Sequence, residues 1–152
     1  MRWIYAEWGG EMTNNEAELW AIHQGLRIAI RNGYRNLEIE GDSQITIEIL
    51  KKLNNGKNWE RITTSWRTAR IIQEIAELIK RIDYKTFYHV RRNGNRAADF
   101  LANWGCKDRN NKVDNQWIVR RPSREWKGLA SIINDDHEQA TNENSSIRAT
   151  DR

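Results

Sequence analysis

Hydrophobic residues recur along this chain with two different spacings, and the change from one to the other lays out the elements. From residue 13 the spacing is helical: Leu19, Ile22, Leu26, Ala29 and Ile30 share one side of a segment running to about Asn32. Thr13, with Glu16 three residues later, forms a capping-box pattern at its start, and Gly33 is a stop at its end. The same spacing returns in "SQITIEILKKL" (43–53) and "SWRTARIIQEIAELIKRI" (65–82), where Ile71, Ile72, Ile75, Leu78 and Ile79 face inward. Apolar and polar residues alternate in "NLEIE" (36–40), while "RWIYAEWG" (2–9) and "YKTFYHV" (84–90) are rich in aromatic and other strand-favouring residues. These three segments predict strands. "NRAADFLANWG" (95–105) predicts a last short helix with Gly105 as its stop.

The order strand–helix–strand–helix–helix–strand–helix predicts an α/β domain with parallel neighbouring strands. It occupies residues 2–106, followed by an extension over 107–133 in which 117–119 and 126–133 pack locally. Residues 134–152 hold almost no apolar anchor and predict a disordered tail.

At 152 residues, 38% hydrophobic and 30% charged, the chain has the length and balance of one domain with a real core. No window approaches the roughly 18 uninterrupted apolar residues of a membrane span, so no membrane partner is expected. The start, "MRWIYAEWGG", lacks the apolar core of a secretory signal; an intracellular site, nuclear or cytoplasmic, is expected. The single cysteine, Cys106, excludes an internal disulfide and a cysteine-cluster metal site.

Charge is unevenly distributed. Residues 1–50 carry four Arg against eight Asp and Glu, and residues 51–81 carry eight Lys and Arg against three Glu. An acidic segment beside a basic one suits a metal site flanked by a polyanion-binding surface; a solvated helix face gives the same composition. Lys51, Lys52, Lys57, Arg61, Arg67 and Arg70 are the candidates for phosphate contact. Trp59 and Trp66 are candidates either for stacking on a base or sugar or for packing.

The acidic residues divide by position. Glu16 is assigned to the capping box and shares its row with Trp20, His23 and Arg27, an exposed or mixed face. Glu18 shares its row with Ile22, Gly25 and Ala29 at the margin of the apolar stripe, where a carboxylate costs free energy unless paired or bound to a cation. Asp42 follows a strand end, where ligands bind in open parallel sheets, and equally suits the N-cap of the next helix. Asp99 lies one turn into its helix, where the helix dipole favours an acid. Three carboxylates at strand ends and helix starts are what a divalent cation requires.

"TNNEAEL", "IEGDSQ" and "HVRRNGNRAADFLA", in that order and at this spacing, resemble the ribonuclease H domain, and most closely its plant-type, retroelement-associated branch. The resemblance covers residues 2–106 and implies a three-layer α/β ribonuclease H-like fold. It also implies metal-dependent hydrolysis of RNA in RNA–DNA hybrids, with Mg²⁺ or Mn²⁺ as cofactor and an upstream reverse-transcriptase segment as neighbour. By motif position, the family's metal ligands fall on Glu18, Asp42 and Asp99. Its proton-handling histidine falls on His89. Asn15, Ser43 and Asn95 occupy positions that touch nucleic acid or support the site.

The family's pattern opens with a strand bearing an Asp-Gly pair, whose Asp bridges both metals, and a second strand follows. No Asp-Gly pair occurs in this sequence. The expectation is an incomplete fold that lacks the first two strands, including the central one, and cuts slowly unless another chain supplies them. A non-catalytic nucleic-acid-binding module and an inert retroelement or gene-model fragment are the alternatives.

Overall fold

In a computed structural model the described residues are 4–7, 10–62, 65–107, 116–119 and 132. Their elements, in chain order, are β1 (Ile4–Glu7), α1 (Asn14–Arg31), β2 (Asn36–Gly41), α2 (Gln44–Asn54), α3 (Trp66–Ile79), β3 (Tyr84–His89), α4 (Arg96–Lys107) and β4 (Gln116–Val119). Short 3-10 turns occupy Trp59–Arg61 and Arg92–Gly94. The chain divides into two compact units, Gly9–His89 and a second that joins the N-terminal strand to the chain from Val90 onward.

The Gly9–His89 unit holds the core. α1 contributes Leu19, Leu26 and Ile30; α2 contributes Ile47, Leu50 and Leu53; α3 contributes Ile72, Ile75 and Ile79. Ile82 and Phe87 complete the buried cluster, with Leu37 and Ile39 of β2 packed against it. Each of these side chains stabilises the fold by roughly 1.5–3 kcal/mol on full burial, so the helices are held by this shared face rather than by propensity. The expected inward positions of α3 hold, Ile72, Ile75 and Ile79 buried and Ile71 and Leu78 partly so.

Both α1 and α2 end as their sequences require. Gly33 at φ +81° lets its N–H reach the Ile30 carbonyl at 3.0 Å, while the Tyr34 N–H reaches Ala29 at 3.0 Å. Gly56 at φ +77° does the same for α2, its N–H bonding Leu53 and the Lys57 N–H bonding Lys52, both at 3.0 Å. Each is a Schellman closure, and the left-handed residue is glycine because a Cβ is disfavoured there.

β2 and β3 pair in parallel, in the register Asn36↔Tyr84 through Gly41↔His89. The Arg35 carbonyl accepts from the N–H groups of Asp83 (2.9 Å) and Tyr84 (3.2 Å) and aligns the two strand starts. Leu37, Ile39 and Phe87 face the helices; Glu38, Glu40, Tyr84 and Tyr88 lie on the other, more exposed face. The parallel pair and its helices make a mixed α/β topology of the kind expected.

In the second unit β1 pairs antiparallel with β4, Ile4 opposite Val119 and Glu7 opposite Gln116, and α4 packs beside β1. Two expectations change here. α4 runs through Gly105 to Lys107, so that glycine does not stop the helix. Residues 117–119, expected only to pack locally, belong to a strand whose ladder gives their backbone groups partners. The local packing expected over 126–133 and the disordered tail expected over 134–152 lie outside the described residues, apart from position 132. No helix among the described residues is long and apolar enough to cross a membrane.

Candidate active site

The first turn of α1 separates its two glutamates. The Thr13 backbone N–H donates to Glu16 Oε2 at 2.8 Å, and the Glu16 N–H donates to Thr13 Oγ1 at 3.3 Å, a complete capping box. The Thr13 N–H, above all, holds the Glu16 carboxyl below its ordinary range; the Thr13 hydroxyl and the Arg67 charge add to this, against the opposing effect of burial. Glu16 is thereby engaged in the fold. Glu18, two residues on, is half-buried at the edge of the stripe, as its row predicted.

The row containing Glu16 is the mixed one of the two expected, not the exposed one. Glu16 and His23 are both buried, Trp20 is half-buried, and only Arg27 is open. His23 follows Leu19 and precedes Leu26 at helical spacing, so the stripe that buries those leucines takes in the imidazole too. That spacing was the available sequence signal. What it did not reveal was the partner: His23 Nε2 lies 2.8 Å from Glu74 Oε2 on α3.

Asp42 and His89 are brought together by strand pairing. Gly41 and His89 are register partners, so Asp42 and His89 both stand at the carboxyl end of the parallel pair. His89 Nε2 lies 3.1 Å from the backbone carbonyl of Asp42. A carbonyl only accepts, so Nε2 carries the proton, and Nδ1 is the nitrogen left to accept one in the neutral ring. His89 itself is exposed, and Asp42 is half-buried.

The N-cap of α2 is Ser43 and not Asp42. Ser43 Oγ accepts from the Thr46 N–H at 3.3 Å and from Thr46 Oγ1 at 3.0 Å. The expected alternative of Asp42 as the N-cap is thereby corrected. Ser43 fixes where α2 begins.

Asp99 lies in the first turn of α4, half-buried, in the second compact unit. Its N–H bonds the Asn95 carbonyl at 3.1 Å, and its own carbonyl accepts from Asn103 Nδ2 at 2.9 Å. Asn95 thus immediately precedes the helix that carries Asp99, and Asn15 is exposed on the first turn of α1. Among the described residues no group of three or more His, Cys, Asp or Glu side chains is placed to hold a metal ion.

Lys51, Lys52 and Lys57 are all exposed at the end of α2. The Schellman closure at Gly56 bonds the Lys57 backbone N–H to the Lys52 carbonyl, so the three lysines stand on one short turn of backbone. That end of the helix carries the negative pole of its dipole, which stabilises them without any ligand. Arg61, Arg67 and Arg70 are exposed on the segment that follows.

Comparison with known proteins gives the chain a family. Residues 1–105 match the family model described as reverse transcriptase-like. The chain belongs to the reverse transcriptase-like family, and its homology extends to ribonuclease H. It is 34% identical over 108 residues to ribonuclease HI of Halobacterium salinarum, an overlap covering 69% of this chain and 51% of the relative. The chain thus spans about half the length of that relative. It also resembles the crystal structure of RNase H1 from the halophilic archaeon Halobacterium salinarum, with a TM-score of 0.54 and 32% identity over 65% of this chain and 70% of that one. The parallel α/β topology is consistent with the ribonuclease H-like fold.

Proposed function

We propose that this chain is a ribonuclease H-type domain that engages RNA–DNA hybrids, of the plant-type, retroelement-associated branch, and that its own hydrolytic rate is low. The observation that carries this reading is the meeting of Asp42 and His89 at the carboxyl ends of paired parallel strands, His89 Nε2 at 3.1 Å from the Asp42 carbonyl. The contact is to the Asp42 backbone, and it brings to one strand end the two residue types that hydrolysis of a phosphodiester uses, a carboxylate for a cation and an imidazole for a proton. Membership of a family homologous to ribonuclease H supports the substrate class.

In this reading Glu18, Asp42 and Asp99 are the carboxylates offered to Mg²⁺, or to Mn²⁺ in its place. When bound, the cation supplies an activated water and charge neutralisation at the leaving oxygen. The chain's own residues have narrower tasks. His89 receives or returns a proton at Nδ1 while its Nε2–H stays on the Asp42 carbonyl. Asn15, Asn95 and Ser43 position the strand or the site, and Lys51, Lys52 and Lys57 hold phosphates.

Slow turnover follows from the ligand inventory. The sequence holds no Asp-Gly pair, the pair whose Asp bridges both metals in the family it resembles. Losing a bridging ligand raises the barrier by several kcal/mol, about tenfold in rate for each 1.4 kcal/mol. The test is cleavage of an end-labelled hybrid in Mg²⁺, comparing the chain alone with a fusion that supplies two upstream strands bearing Asp-Gly. The chain alone is expected to cut little, the fusion to cut, and Asp42→Asn in the fusion to stop it. Equal cutting by chain and fusion would refute the account of slow turnover. Hybrid binding without cutting by either form would favour a binding module, supported by the exposed Lys51, Lys52 and Lys57.

A further inference from the structure

We infer that Trp66 and Arg67 form a stacking platform for an unpaired nucleotide, at which a strand leaving an RNA–DNA hybrid is held. The inference rests on the nucleic-acid reading above and adds to it a residue pair and a substrate shape.

Trp59 and Trp66 are seven residues apart in sequence, and the structure separates their roles. Trp59 is half-buried and packs against the core cluster. Trp66 opens α3 and is 79% exposed, the most open of the large hydrophobic side chains described. An indole carries a large apolar surface that is ordinarily buried, at least on one face. Here its neighbour covers part of it: the Arg67 guanidinium carbon lies 5.6 Å from the indole centroid, within cation–π range. Arg67 also attracts the Glu16 carboxylate of α1 electrostatically.

What surrounds the indole decides the partner. A protein-docking tryptophan generally stands in an apolar patch with a polar rim. Around Trp66 the chain offers Ser65, Arg67 and Arg70, all exposed. Residues 51–81 carry eight cations against three acids. An aromatic face among arginines suits a polyanion with π surfaces, which is a nucleic-acid strand. Within a duplex both faces of each base are covered by its neighbours. The indole therefore stacks only on a nucleotide outside the paired region, such as a single-stranded overhang.

The experiment measures fluorescence anisotropy of two labelled hybrids with the full chain, one blunt and one carrying a single-stranded overhang of about five nucleotides. The overhang is expected to bind about tenfold more tightly, in line with the stacking contribution of one base. Trp66→Ala is expected to erase that preference while leaving blunt-hybrid affinity within about twofold. Trp66→Phe should retain part of it, and Arg67→Gln should lower it. Both positions are exposed, so circular dichroism of the variants should match the parent. A preference that survives Trp66→Ala overturns the inference while leaving the nucleic-acid reading intact. Failure of the parent to bind either hybrid sinks both. A change in sedimentation with Trp66→Ala, at constant overhang preference, would make the indole a protein contact and overturn the inference.

Discussion

His23 and Glu74 join α1 to α3 through one short contact, Nε2 to Oε2 at 2.8 Å, in a place where His23 is only 4% exposed. The other ring nitrogen, Nδ1, lies 3.4 Å from Gln24 Nε2, and the Trp20 ring lies 5.3 Å away, centroid to centroid. One protonation state satisfies both bonds: a neutral imidazole that donates from Nε2 and accepts at Nδ1. Burial, the largest influence, pushes the His23 pKa down, and Arg27 adds to it. The attraction of Glu74 and its hydrogen bond pull the other way without prevailing. Glu74 is also shared, since Arg70 Nε donates to its other oxygen at 3.1 Å.

A direction of pH dependence follows. The unfolded chain takes up a proton on His23 near the ordinary value of 6.5, while the folded chain resists until lower pH. The contribution of the neutral ring is therefore complete above that value and is lost as pH falls through the lowered, folded one. Glu16 also favours the folded state, but its window opens only below 4.5. Denaturation midpoints between about pH 7.5 and pH 5 stay clear of the Glu16 window, and comparison with His23→Gln isolates this imidazole among the three histidines of the chain. The parent should lose stability on acidification, and His23→Gln should lose less. A parent that gained stability would mean that the attraction of Glu74 outweighs burial.

The two glutamates of α1 are expected to respond in opposite ways. Thr13→Ala removes the hydroxyl that caps the Glu16 N–H and should cost about 1 kcal/mol, a few degrees in Tm. Glu16→Ala should lower Tm too, because the Thr13 N–H then loses its carboxylate partner. Glu18→Ala should leave Tm nearer to that of the parent and act on hybrid cleavage in the strand-completed fusion. Thermal melts of the three variants beside one cleavage assay decide it. A Tm loss for Glu18→Ala as large as that for Thr13→Ala would return Glu18 to a structural role.

Asp42 and Ser43 separate in the same manner at the start of α2. Thr46 is 1% exposed and its hydroxyl relies on Ser43 Oγ, 3.0 Å away. Ser43→Ala leaves that hydroxyl without this acceptor in the interior and uncaps the helix, which together should cost about 1–3 kcal/mol. Asp42→Asn keeps the backbone carbonyl that His89 uses, so it should cost less while stopping cation-dependent cleavage in the fusion. Denaturant titrations of the two variants, read beside cleavage, would expose an error in either assignment.

Much of this was readable before any coordinates, and the reasons differ by element. α1 was legible because its start and stop are local chemistry: Thr13 with Glu16 closes one end and Gly33 the other, within a few residues of each. The capping role of Glu16 was legible on the same grounds. The burial of His23 was half legible, since the stripe through Leu19 and Leu26 passes over it, but Glu74 is a long-range partner that no local spacing names. β4 was hidden for a similar reason: four residues become a strand by pairing with β1, more than a hundred positions earlier. Gly105 misled because glycine inside a helix is tolerated at about 1 kcal/mol, so its presence near an apparent end is not a stop in itself. Asp42 with His89 was legible as two strand ends; their adjacency needed the register of β2 on β3.

The lysines at the end of α2 carry the last expectation, and it distinguishes a phosphate-binding role from mere helix capping. Lys51, Lys52 and Lys57 are exposed, and the closure at Gly56 keeps Lys57 beside Lys52. If each contacts a phosphate of the hybrid, binding releases about 0.9 counterion per contact, and the slope of log K against log salt records the number. Each Lys→Ala change should then flatten that slope by about 0.9, while weakening binding to every hybrid sequence alike. A lysine that only stabilises the helix end would behave otherwise, lowering Tm slightly and leaving the slope unchanged. Gly56→Ala gives an internal control. At φ +77° with nothing within 4 Å of an added Cβ, its cost is backbone strain alone, about 1 kcal/mol or somewhat more. That variant keeps all three charges but strains the turn that holds Lys57. Its slope should therefore fall no further than that of Lys57→Ala. Equal slopes for the parent and all three lysine variants would remove this turn from the hybrid-binding surface.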